Sequence, residues 1–155
     1  MSRAFVKESE DGAEGAELPE RAVSPHRNLV TEAGLAQIGA AVRRLEAELA
    51  EARSGADKAA IARCQRDLRY WQRRRASAEL VPAAPAGERV RFGSTVTLRL
   101  ADGTERRLTI VGEDEADPAA GTIAYVAPVA AAMIGAEPGD TVATGAGEGE
   151  ILAID

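Results

Sequence analysis

The stretch Thr31-Glu-Ala-Gly-Leu35-Ala-Gln-Ile38-Gly-Ala-Ala-Val42-Arg-Arg-Leu45-Glu-Ala-Glu-Leu49 places Leu35, Ile38, Val42, Leu45 and Leu49 at spacings of three and four. On a helix that spacing aligns all five along one seam, which is heptad geometry. Thr31 has a hydroxyl that can accept from an unpaired N–H one turn later, so it opens the helix. Ser54 and Gly55 interrupt the pattern, with Gly55 suited to the left-handed backbone that ends helices. Asp57, followed by Lys58, reads as the cap of a second helix.

In that second helix Ile61, Cys64, Leu68, Trp71, Arg75 and Ala78 continue the alternation, with Arg75 as the polar intruder. Helices joined by so short a link run antiparallel, so residues 29–81 are expected to form a coiled-coil hairpin. At roughly 23 residues per helix and 1.5 Å per residue, the arm would be about 35 Å long. Cys64 and Trp71 are read as packing residues. Arg66, Arg69, Arg73, Arg74 and Arg75 crowd this helix, a solvated basic face that could also meet an acidic partner.

Outside the arm the composition changes twice. Residues 1–28 carry Glu8, Glu10, Asp11, Glu14, Glu17 and Glu20 among glycines and prolines, and are expected to be a disordered acidic tail, with His26 a solvated linker residue. Residues 82–87 form a proline-rich hinge, because proline lacks the donor that a helix needs. Beyond it Arg89 to Phe92, Thr95 to Leu100 and Arg106 to Val111 alternate polar and apolar, with a turn at Ala101-Asp-Gly-Thr104. Thr122 to Val126 adds a strand, Pro128 to Ile134 a short helix, Glu137-Pro-Gly-Asp140 a turn, and Thr141 to Ala143 with Ile151 to Ile154 a closing pair. Residues 88–155 should therefore be an α+β domain, a twisted and mainly antiparallel sheet covering one short helix.

Composition bounds the function. With 155 residues and 45% apolar content, the chain can bury one modest core. No apolar run approaches the roughly 20 residues of a membrane span, and the first residues lack a secretory apolar region, so a cytoplasmic protein is expected. A single cysteine and a single histidine exclude an internal disulfide and argue against a zinc cluster. The net charge of −6 disfavours a general nucleic-acid binder, but it is unevenly spread: −3 over residues 1–26, +3 over 31–80 and −7 over 86–155.

Leu29-Val-Thr-Glu-Ala-Gly-Leu35 at the entry of the hairpin resembles the N-terminal entry of the GreA/GreB transcription elongation factors. Arg91-Phe-Gly-Ser94, Ile110-Val-Gly-Glu-Asp-Glu115 and Ala127-Pro-Val-Ala-Ala-Ala-Met-Ile-Gly135 with Pro138-Gly-Asp140 resemble successive motifs of their C-terminal domain. The resemblance implies an FKBP-like C-terminal domain docked on the rim of the RNA polymerase secondary channel, with the coiled coil inserted toward the active centre. It also implies a docking surface of Pro128, Val129, Met133, Ile134 and Gly135, with Glu113, Asp114 and Glu115 meeting basic groups. The bland alternative is that Val129, Met133 and Ile134 fill the core and that the acids are solvated.

The departures from the family bear on activity. Cleavage-stimulating Gre factors carry an Asp and a Glu three residues apart after a glycine at the tip, a pair able to share magnesium and orient an attacking water. Here the tip reads Ser54-Gly-Ala-Asp57-Lys58-Ala-Ala60, so Ala60 stands at the third position and the pair is absent. The hairpin is also shorter than in those factors by about two turns per helix, roughly 12 Å. The expectation is a monomeric, non-enzymatic polymerase-binding regulator with no cofactor or metal, touching nucleic acid only indirectly within the transcription complex; in this it resembles Rnk-like relatives. Competing readings are retained cleavage activity through Asp57 or Glu51, an adaptor coiled coil, and prolyl isomerisation, which the sparse aromatics Phe92 and Tyr125 disfavour.

Overall fold

The computed structural model describes residues 18–83 and 85–155, and the first part of the acidic tail lies outside them. Strand β1 (Asn28–Val30) leads into helix α1 (Glu32–Ser54), which is followed by α2 (Lys58–Ser77) and strand β2 (Ala78–Leu80). Thr31 caps α1 by accepting from the Gly34 amide at 3.0 Å. Ile38, Val42, Leu45, Leu49 and Ala52 are buried along the α1 seam against α2. β1 and β2 pair in parallel, Val30 opposite Leu80, so the chain enters and leaves the arm side by side.

Three expectations about the arm need correction. First, α2 has 20 residues rather than 23, because the backbone turns extended at Ala78 to pair with β1. Second, Arg74 and not Arg75 faces inward: Arg74 is 1% exposed, whereas Arg75 lies on the surface. An ideal helix drifts from a strict heptad by about 20° per repeat, and at this end of α2 the arm meets the sheet domain rather than α1 alone. Third, the left-handed residue at the tip is Ala56 (φ 52°), while Gly55 stays right-handed (φ −82°). Amides of Ala56 and Asp57 donate to the carbonyls of Arg53 and Ala52, which closes α1 with a Schellman pattern.

The second unit is a five-stranded sheet with order β5-β4-β3-β7-β6. Its strands are β3 (Thr95–Leu100), β4 (Glu105–Val111), β5 (Thr122–Ala124), β6 (Thr141–Thr144) and β7 (Gly147–Ile154), and helix α3 (Pro128–Met133) packs on it. All neighbours are antiparallel except β4 and β5, and the β3–β7 register slips between Thr97 and Leu98. Val96 and Leu98 alternate inward from β3 and join Ile110, Ile151, Ile154, Val142, Val90, Ala130 and Met133 in one core. Each such fully buried apolar side chain contributes about 1.5–3 kcal/mol relative to exposure.

Arg89 to Phe92, expected as a strand, does not pair along its length. Val90 exchanges two backbone hydrogen bonds with Gly135 and Ala136, and the chain then turns at Arg91–Ser94, with Gly93 at φ 86°. Among the described residues no helix is long and apolar enough to cross a membrane.

Candidate functional site

The loop after β4 lies where the two units meet. Gly112 comes so close to the first strand that a Cβ on it would sit 2.4 Å from the Leu29 carbonyl oxygen, so only glycine lets the backbones approach. The three acids that follow turn back onto the root of the arm. Asp114 receives a hydrogen bond from the Tyr70 hydroxyl at 2.7 Å and one from Arg74 Nε at 2.5 Å. Arg74 Nη2 donates to Asn28 Oδ1 at 2.6 Å, and Asn28 Nδ2 returns a bond to the Arg74 carbonyl at 2.7 Å. Glu115 accepts from Thr31 Oγ1 at 2.6 Å, so the hydroxyl that caps α1 also holds the sheet domain.

Glu113 completes the joint. Its Oε1 accepts from Ser24 at 3.0 Å, and its Oε2, buried and without a hydrogen bond, lies 3.8 Å from Arg74 Nη2. One buried guanidinium thus faces two carboxylates, with Asn28 taking up a further donor. Burial, followed by the bond to Asp114, pushes the Tyr70 phenol above its ordinary value. Burial and then the charge of Glu113 raise Tyr125, whose hydroxyl donates to the Arg27 carbonyl at 2.6 Å.

This geometry corrects three expectations. Glu113, Asp114 and Glu115 are partly buried and bonded to their own arm rather than presented to an outside partner. Arg74 does not belong to an exposed basic face, for the same network encloses it. Three further arginines of this helix are also engaged: Arg66 with Asp67 at 2.9 Å, Arg69 with Glu20, and Arg73 with Glu20 at 3.6 Å. Residues 18–28, expected as the end of a disordered tail, instead contact α2 through Glu20 and Arg21, the joint through Ser24, and β2 through Arg27. Tyr70, Asn28, Thr31 as a clasp for Glu115, and Gly112 were not singled out as joint residues; the polar signal from each is local, but its partner is about 44 to 84 positions away.

The other expected residues fall in two places. On α3, Met133 is fully buried in the core and Val129 partly so, whereas Pro128, Ile134 and Gly135 lie on the surface. Met133 therefore supports the surface from beneath and offers no contact of its own. At the far end of the arm Ser54, Gly55, Asp57 and Lys58 are all exposed. Asp57 spends one carboxylate oxygen on the Ala60 amide at 3.0 Å, as an N-cap. Among the described residues no three His, Cys, Asp or Glu side chains are grouped so that they could hold a metal ion.

Residues 84–155 match the family described as Transcription elongation factor, GreA/GreB, C-term. Curated relatives include a transcription elongation factor GreA of Nitratidesulfovibrio vulgaris (strain DSM 19637 / Miyazaki F), 45% identical over 43% of this chain and 42% of its own length. Another, from Phenylobacterium zucineum (strain HLK1), is 50% identical over 37% of each chain. The Anaeromyxobacter sp. (strain K) protein is 46% identical over 48% of this chain and 46% of its own. Each match spans less than half of the relative. Among solved structures, the GreA factor homolog 1 (Gfh1) protein of Thermus thermophilus covers 84% of this chain and 99% of its own at 18% identity, with a TM-score of 0.39. A GreA/GreB factor from Nitrosomonas europaea gives 20% identity over 81% and 97%, also at a TM-score of 0.39.

Proposed function

We propose, from the match of residues 84–155 to the GreA/GreB C-terminal family, that this chain is an RNA polymerase-binding transcription factor that regulates without stimulating transcript cleavage. In this reading the sheet domain docks at the secondary-channel rim through the exposed Pro128, Ile134 and Gly135 with the half-buried Val129 beside them. The joint at Arg74 and Asp114 then sets the direction in which the arm enters the channel.

The tip carries the argument. Recruiting a second magnesium to a phosphodiester takes convergent carboxylates, since a hard divalent cation is held by several oxygen ligands at once. Between Ser54 and Ala60 the tip has one carboxylate, Asp57, already accepting the amide that starts α2, with Ala60 one turn further on and Glu51 set back in the last turn of α1. An exposed tip of this kind can fill space and exclude small molecules, but it offers a cation one ligand only.

A backtracked polymerase complex tests the reading directly. Core polymerase should retain the protein, Ile134→Glu together with Pro128→Glu should abolish retention, and the nascent RNA should keep its length when the protein is added in excess. Shortened RNA that disappears with Asp57→Ala would replace this reading with a cleavage factor. A protein that polymerase never retains would remove the docking role altogether.

A further inference from the structure

The outer face of α2 carries a second feature that neither the docking surface nor the tip uses. Arg66, Arg69 and Arg73 follow one another at spacings of three and four, so they lie along one stripe of the helix. Like charges at that spacing destabilise a helix by a few tenths of a kcal/mol per pair, and a carboxylate laid across them removes the penalty. Glu20 does this: its Oε1 accepts from Arg69 Nε at 2.8 Å, and its Oε2 lies 3.6 Å from Arg73 Nη1. Beside it the Arg21 guanidinium sits 3.9 Å from the Tyr70 ring centre, with the Trp71 ring edge-on to Tyr70.

The segment that delivers Glu20 is weakly held. Residues 18–27 form neither helix nor strand, and Val23 is exposed. The side chains of Glu20, Arg69 and Arg73 retain 42–53% of their exposure, and pairs this open are worth about 0–1 kcal/mol each. The joint below is of another kind, with Arg74 almost fully enclosed. The chain therefore combines a fixed root with a loosely attached strap whose carboxylate occupies a ready-made receptor.

We infer that the Arg66–Arg69–Arg73 stripe is a binding site for an acidic polypeptide segment, and that residues 18–23 are its internal occupant, released when such a segment takes the place of Glu20 while Ser24 and Arg27 stay bonded at the base. The favoured ligand is a run of carboxylates, because the occupant already in place is one, held by a guanidinium at each oxygen. Asp67, paired with Arg66 and 3.7 Å from Arg21, is the other acid on this face and limits how far such a segment can extend toward the tip.

Trp71, the single tryptophan, has its ring centre 5.8 Å from the Arg21 guanidinium of the strap and reports displacement of the strap by fluorescence. Titrating a glutamate homopeptide into the full-length protein at low salt should give a saturable change. Glu20→Gln should bind it about three- to fivefold tighter, as expected for removing two exposed pairs. Arg69→Gln with Arg73→Gln should abolish the change, and both positions are exposed enough for the fold to survive. Saturating peptide should also speed tryptic cleavage after Arg21. No binding by wild type or Glu20→Gln, equal affinities for the two, binding without faster cleavage, or preference for an oligothymidylate over the peptide would each overturn the inference.

Discussion

Arg74 on the second arm helix and Asp114 in the loop after β4 meet at 2.5 Å across 40 positions of sequence, and this bond joins the arm to the sheet domain. The charge on Arg74 is removed from water without loss of partners. Asp114, Asn28 and Glu113 all face it, and its own carbonyl accepts from Asn28.

Removing one side of such a pair leaves the other charge buried and unmatched, which costs about 3–5 kcal/mol. Urea unfolding of Arg74→Ala should show a loss of that size. Arg74→Lys should rescue little, because an ammonium cannot reproduce the planar fork. Arg75→Ala, on the exposed side, should stay within about 0.5 kcal/mol of wild type; equal losses at both positions would contradict the inward placement of Arg74.

Tyr70 gives the joint a dependence on alkaline pH. Burial and the bond to Asp114 raise its pKa in the folded state, so the folded protein keeps the phenolic proton after the unfolded chain has released it. Its stabilisation is complete below the ordinary tyrosine value of about 10 and fades as pH climbs through the raised one. Tyr70→Phe should cost about 1.5 kcal/mol near neutral pH, and should lose less stability than wild type between pH 9 and 11. The slope that remains is assigned to Tyr125, which is raised as well.

Gly112→Ala would drive a Cβ to 2.4 Å from the Leu29 carbonyl, against backbone that cannot swing aside. A thermal melt should register a loss of about 1–3 kcal/mol or more. Gly145→Ala is the matched control, since nothing lies within 4 Å of a Cβ there.

Ala56 holds a left-handed backbone in the tip turn, which costs a residue with a Cβ about 1–2 kcal/mol. Ala56→Gly should therefore raise stability by about 1 kcal/mol and leave any polymerase interaction unchanged, whereas Gly55→Ala should be close to neutral.

Much of the architecture was legible because it is periodic. Ile38, Val42, Leu45 and Leu49 declare a helix seam at their own spacing, and Val96 and Leu98 declare a strand facing a core. What escaped was whatever depends on a distant partner. Arg74 and Arg75 are neighbours of the same type, and only the loop at Glu113–Asp114 decides which one turns inward. Glu20 has no apolar pattern around it, so its seat on Arg69 and Arg73 is invisible until the helix is built. Val90 looks like strand, yet it pairs only with Gly135 and Ala136 before the chain turns. For the apolar run at α3 the resemblance implied display and the alternative was burial, and the structure divides them: Met133 points in and Ile134, just past the helix, lies on the surface.

Because β1 and β2 clamp the two strands of chain entering and leaving the hairpin, and the described contacts to α2 from residues 18–30 and from the loop after β4 reach no further out than Asp67, the arm beyond Asp67 is mechanically independent of the base. Inserting one heptad into each helix would move the far end outward by about 10 Å while every bond at the base stayed in place. Reach is thus an adjustable dimension of this scaffold, open to lengthening or trimming in units of two turns with no redesign of what anchors it.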